Sequence, residues 1–296
     1  MKLLSDFDGV WTQPGDEARA QGERLDAALA DLVPPGEKAA ADSWIRSARV
    51  AALAEPRRYG WLDHGRLSAF GDEDPFTAHA ALMHYVEASA SRDAIARTLR
   101  EGAARSAGSL DALGSRAHAE GVASVERRRG PGILAEAAEA GRRLLASGAE
   151  IVVVSNSDRH KLTTWFEHAH VPITIHPEYR DGAPRLRGGA RKFELAPEAG
   201  ATLALGDVTI DIARPRYSEA LEEERPDAIV GDVFSLDLSL PLALKRARPE
   251  WRHVRLFWLT HAYAPAWLRE RVERHAAGEV ECVEDGLPGV VRRLGA

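Results

Sequence analysis

Cysteine is almost absent from this chain. With Cys282 alone among 296 residues, no internal disulfide can form and no Cys/His spacing supports a zinc site. The compartment expected from this is a reducing one, the cytoplasm. An excess of basic charge is also lacking. Against 45 Asp and Glu there are 39 Lys and Arg, a net charge of −6, so the broad basic face that nucleic acid or an anionic membrane requires is not expected. Long hydrophobic runs are missing as well: no stretch approaches the ~20 apolar residues of a membrane span. "MKLLSDFDGV" turns acidic too early to read as a signal peptide. Internal repeats and low-complexity linkers are not found. What is left, 45% hydrophobic and 28% charged residues, is the composition of an ordinary globular protein with a real core.

What is present falls into two textures. Residues 2–6 read as a short buried strand, and residues 14–129 as alanine-rich helices with apolar residues three and four apart. Asp74-Pro75 and Ser91 stand at expected helix starts, and no strand pattern interrupts the region. His79 and His84, five residues apart, read as packing rather than recognition. From 130 onward the rhythm changes to alternating strands and helices. "IVVV" (151–154) is the strongest buried strand, and 171–176, 228–232 and 253–260 are others; 180–213 reads as one or two hairpins. Strand–helix alternation predicts a doubly wound parallel sheet, an α/β fold that binds ligands at the carboxyl ends of its strands.

Those ends carry polar residues. Asp6 and Asp8 follow the first strand, Ser155 and Asn156 follow "IVVV", and "GDVFSLD" brings Asp232 and Asp237 after "AIV". Strands disfavour acidic residues, and like charges two residues apart raise each other's pKa. Aligned in a parallel sheet, the four aspartates would form an all-oxygen cluster suited to a hard divalent cation, Mg2+ first among them, which would offset the repulsion.

In this order "DFDGVWT", "IVVVSNS" and "GDVFSLD" resemble the first, second and fourth motifs of the haloacid dehalogenase-like (HAD) superfamily, over residues 1–13 and 130–296. The resemblance implies a Rossmann-like core, with 14–129 in the position of an inserted helical cap domain. It further implies a phosphatase using an aspartyl-phosphate: Asp6 as nucleophile, Asp8 as general acid and base, and magnesium on Asp6, the Asp8 carbonyl and Asp232, supported by Asp237. Ser155 and the Asn156 backbone would grip the phosphoryl group of a small phosphorylated substrate. The third motif departs from the family: Arg214 stands where a lysine is usual, and Lys192 is the nearest lysine upstream. Arg214 is preferred because a helix, a strand and "GD" follow it directly. A dehalogenase, phosphonatase or phosphomutase on the same fold is an alternative, as is a non-catalytic binding module. A receiver domain fits less well, because its phosphorylated aspartate lies further into a shorter chain.

Overall fold

The computed structural model of the chain describes residues 1–130, 132–261 and 263–296. It divides into two compact units, Met1–Gln13 with Pro131–Ala296, and Pro14–Gly130. The first unit begins with β1 (Lys2–Ser5). The second follows with α1 (Gly15–Ala30), α2 (Lys38–Ala54), β2 (Gly60–Asp63), β3 (Arg66–Phe70), α3 (Pro75–Ser89), α4 (Ala94–Ala107) and α5 (Leu110–Arg129). The chain then returns through α6 (Ala135–Ala146), β4 (Glu150–Val154), α7 (Arg159–His168), β5 (Thr174–Ile175), β6 (Arg185–Arg187), β7 (Thr202–Leu205), β8 (Val208–Asp211), α8 (Pro215–Glu224) and β9 (Ala228–Gly231). A π-helical turn (Phe234–Leu238) leads to α9 (Ser239–Ala247), β10 (Arg255–Leu259), α10 (Ala266–His275), β11 (Val280–Val283) and α11 (Gly286–Leu294).

The larger unit is built on a seven-stranded sheet in the order β11-β10-β9-β1-β4-β6-β5, and every pairing is parallel. Its central strands carry apolar runs: Ile151 to Val154 and Ala228 to Val230 are fully buried, as strands covered on both faces must be. The chain runs from β1 to β4 on one side and later returns to β9 on the other, which puts the reversal of strand order at β1. Ser5 stands level with both Val153 and Val230, so Asp6, Ser155 and Asp232 leave the sheet at nearly the same height. Phe7, Trp11, Trp165 and Phe166 anchor the loop after β1 with ring separations of 5.0–5.8 Å.

One reading is corrected here and another is met in part. The inserted unit is not purely helical: β2 and β3 form an antiparallel hairpin. Its turn carries positive φ at His64 (48°) and Gly65 (71°), the conformation a tight two-residue hairpin turn demands, and the strands are too short for their alternation to stand out. Within 180–213 only β7–β8 is a hairpin; β6 instead joins the main sheet beside β4. Leu186 is its one buried residue. The flanking Arg185 and Arg187 pair with Glu150, Glu223 and Glu224, so the strand's polar text is satisfied by ion pairs.

The helix starts follow local chemistry. Asp74 accepts from Thr77 N while Thr77 Oγ1 accepts from Asp74 N, a reciprocal cap ahead of Pro75. Ser109 caps α5, and Asp93 rather than Ser91 caps α4. The inserted unit has its own core, including Leu25, Leu29, Leu82, Val86, Leu99 and Leu113.

Candidate active site

Leu3 and Leu4 are buried, and the β1 ladder continues one residue further, with Asp6 N donating to Val230 O at 2.9 Å. Asp6 is therefore held by the sheet itself. The chain then turns through Gly9, at φ +76°, where a Cβ atom would fall 2.0 Å from Asp232 Oδ2. Only glycine fits that turn while Asp232 stays where it is.

One carboxylate oxygen from each of Asp6, Asp232 and Asp237 lies within 4.8 Å of the others, and all three residues are buried. The π turn brings Asp237 into this group by returning its Oδ2 to Val233 N at 3.0 Å. Lys192, 2% exposed, places Nζ 2.6 Å from Asp6 Oδ1 and 2.5 Å from Asp237 Oδ1. Burial pushes the Asp6 carboxyl up from 3.8 to about 7; Lys192 opposes the shift, while Asp237 and Asp8 add to it. Burial pulls the Lys192 ammonium down, but Asp237 and Asp6 outweigh it and hold its pKa above the ordinary value. Three carboxylates around one ammonium leave an excess of negative charge in a buried place. An all-oxygen set of this kind fits a hard divalent cation such as magnesium, with Asp6 and Asp232 as holders and Asp237 steadied by Lys192.

The other expected residues are placed as follows. The Asp8 carboxylate does not join the three; Ser157 Oγ donates to its Oδ2 at 2.7 Å and Lys161 Nζ to its Oδ1 at 2.9 Å. Ser155 Oγ accepts from Ser157 N at 3.0 Å, and Asn156 Oδ1 accepts from Lys192 N at 2.7 Å. Lys192, the alternative to the preferred Arg214, is a cation placed directly against Asp6. The guanidinium of Arg214 donates instead to the main-chain oxygen of Lys192 at 2.6 Å. The cause is the loop after β6, which is zipped to the loop after β4: Gly189 N donates to Ser157 O and Ala190 N to Ser155 O, both at 2.8 Å. That pairing delivers Lys192 to the strand ends.

The fold is a doubly wound α/β fold with an all-parallel seven-stranded sheet. Around this strand-end site stand residues that sequence reading passed over. Lys161 is buried against Trp165 (4.9 Å to the ring centre) and Phe7 (5.7 Å), and its position in the first turn of α7 gave no sign of this. Tyr217 donates its hydroxyl to Asp237 O at 2.8 Å; burial, the largest cause, raises that hydroxyl's pKa. Tyr263 donates to Asp232 Oδ2 at 2.7 Å, and Trp258 Nε1 to Asp232 O at 2.8 Å.

No protein-family model and no curated protein sequence matches this chain. Similar solved structures include a haloacid dehalogenase-like family hydrolase from Xanthomonas campestris, 14% identical over 100% of this chain and 94% of that one, with a TM-score of 0.42. A 2-haloacid dehalogenase from Pseudomonas syringae pv. tomato is also 14% identical, over 100% and 99% of the two chains, with a TM-score of 0.42.

Proposed function

We propose that the protein is a magnesium-dependent phosphomonoester hydrolase of the haloacid dehalogenase-like type, acting on a small phosphorylated substrate rather than nucleic acid or membrane. The observation that supports this best is the pair Asp6 and Asp8 in separate settings, one among carboxylates and the other held by Ser157 and Lys161. A carboxylate attacking phosphorus needs a second group for the proton of the leaving oxygen and later of water. Ejecting a halide needs none.

In this reading an oxygen of Asp6 attacks phosphorus, the bond to the leaving oxygen breaks, and Asp8 supplies the proton that oxygen takes up. Water then attacks the aspartyl-phosphate, gives its proton to Asp8, and phosphate leaves with Asp6 regenerated. Lys192 lies against Asp6 and offsets charge as two anions approach. Asn156 pins the Lys192 backbone, and Ser155 with the Asn156 backbone N–H grips a phosphoryl oxygen. Bound magnesium would supply Lewis-acid stabilisation of the phosphoryl charge. Cys282 is free, in keeping with a cytoplasmic protein, and no described helix is long and apolar enough to cross a membrane.

A second reading, hydrolytic dehalogenation, is favoured by one observation: the Lys192 ammonium already bridges Asp6 and Asp237, which eases the site's charge without a metal. One experiment separates the two. Phosphate release from p-nitrophenyl phosphate and a panel of metabolite phosphates is measured with magnesium and with chelator, beside halide release from 2-haloacids. Phosphate release that needs magnesium and falls in Asp8→Asn supports the phosphatase. Halide release that survives both chelator and Asp8→Asn overturns it.

A further inference from the structure

Asp232 is treated differently from the other two carboxylates of the cluster. Asp6 and Asp237 share the ammonium of Lys192, a full positive charge. Asp232 receives a neutral donor, the Tyr263 hydroxyl, at 2.7 Å on Oδ2. The surroundings are built to permit this contact. A Cβ at Gly9 would fall 2.0 Å from Oδ2 of Asp232 and 2.8 Å from the Tyr263 hydroxyl, so the missing side chain is the space in which the two meet. Gly9 is held there in turn, because His261 Nε2 donates to its carbonyl at 2.5 Å, and the His261 and Tyr263 rings lie 5.2 Å apart. On the other side Trp258, level with Gly231 in the β10–β9 pairing, donates to the Asp232 main-chain oxygen at 2.8 Å. Asp232 is thus gripped at its backbone from β10 and at one carboxylate oxygen from the segment after β10.

We propose that Tyr263 is a positioning residue for the divalent cation: by committing Oδ2 of Asp232, its hydroxyl fixes how that carboxylate meets the metal, through Oδ1. This rests on the metal-dependent reading of the same site. The chemistry suits the task. A neutral hydroxyl orients the carboxylate without cancelling its charge, whereas an ammonium would compete with the metal. Outer partners of this kind typically change metal affinity by ~10–100-fold when removed.

The test reads binding rather than turnover. The full chain is titrated with Mn2+, free ion being followed by its electron paramagnetic resonance signal, and Mg2+ is measured by competition. Tyr263→Phe keeps the ring and loses only the hydroxyl; its expected effect is a 10- to 100-fold rise in the Mn2+ dissociation constant. The melting midpoint in chelator should stay within about a degree of wild type. Asp232→Asn serves as reference and should lose binding altogether. If wild type binds and Asp232→Asn does not, but Tyr263→Phe binds within threefold of wild type, the positioning role falls while the metal site stands. A chelator midpoint that drops along with the affinity assigns the hydroxyl to the fold and likewise overturns it. No Mn2+ binding by wild type removes the metal reading, and the role of Tyr263 with it.

Discussion

Two buried ionisable sites, one in each unit, are built in different ways. The larger unit gathers Asp6, Asp232, Asp237, Lys192 and Arg214 at the carboxyl ends of its central strands, all less than a tenth exposed. The inserted unit places a neutral imidazole among its helices. His79 Nε2 contacts Ala18 O at 2.7 Å, and a carbonyl can only accept, so the proton sits on Nε2 and Nδ1 accepts from Arg49 at 2.9 Å. Burial, then Arg49, lowers the His79 pKa from 6.5 to about 4. One arrangement is fully satisfied as it stands. The other is crowded with like charge, and crowding of that kind marks chemistry more often than architecture.

The comparison breaks most sharply at Asp6. Asp6→Asn should lower turnover by on the order of 10⁴–10⁶-fold, the scale of losing a nucleophile, with the circular dichroism spectrum unchanged. His79→Phe should leave turnover within a few-fold. Equal losses would mean that the charge crowding has no catalytic meaning.

Next comes the cation. Lys192→Ala should cost ~10²–10³-fold in kcat, as removal of one preorganised electrostatic contact does. Arg214→Ala should cost less activity but more stability, since it strips a buried donor from the Lys192 carbonyl, a loss of ~1–3 kcal/mol by chemical denaturation. Reversal of these two patterns would restore Arg214 to the phosphoryl site.

A smaller effect is expected at Lys161, which donates to Asp8. Lys161→Met should lower kcat/KM about 10- to 100-fold for alkyl phosphates, whose leaving oxygen needs a proton, and much less for p-nitrophenyl phosphate. A uniform loss across leaving groups would place Lys161 outside proton transfer.

The smallest effect is in pH and sharpens the contrast through its sign. Asp6 holds its proton to higher pH folded than unfolded, so its share of stability is full below about 3.8 and fades as pH rises through about 7. His79 is the reverse: its share is full above 6.5 and is lost as pH falls through about 4. Hydrogen exchange in chelator should show protection of the larger unit falling on going from pH 4 to 7. Protection of the inserted unit should fall over the same range travelled downward. Asp6→Asn should remove the first trend alone and His79→Phe the second.

Much of the core and part of the site could be read along the chain. The aspartates at 6, 8, 232 and 237 stood out because each followed a short apolar strand, and the parallel register does bring three of their carboxylates together. The hairpin of the inserted unit escaped because its strands span four and five residues. The short β6 escaped because its arginines are neutralised by glutamates from β4 and α8, which no local pattern displays.

By itself the sequence determined the parallel core, the strand-end acidic groups and the helix start at Asp74, because apolar periodicity and capping act within a few residues. Only the tertiary structure decided which cation meets Asp6, what holds Asp8 and what orients Asp232. Those contacts join residues 186, 153 and 31 positions apart. A buried charge takes whichever partner the folded backbone delivers, since leaving it unpaired costs more than any local preference can repay.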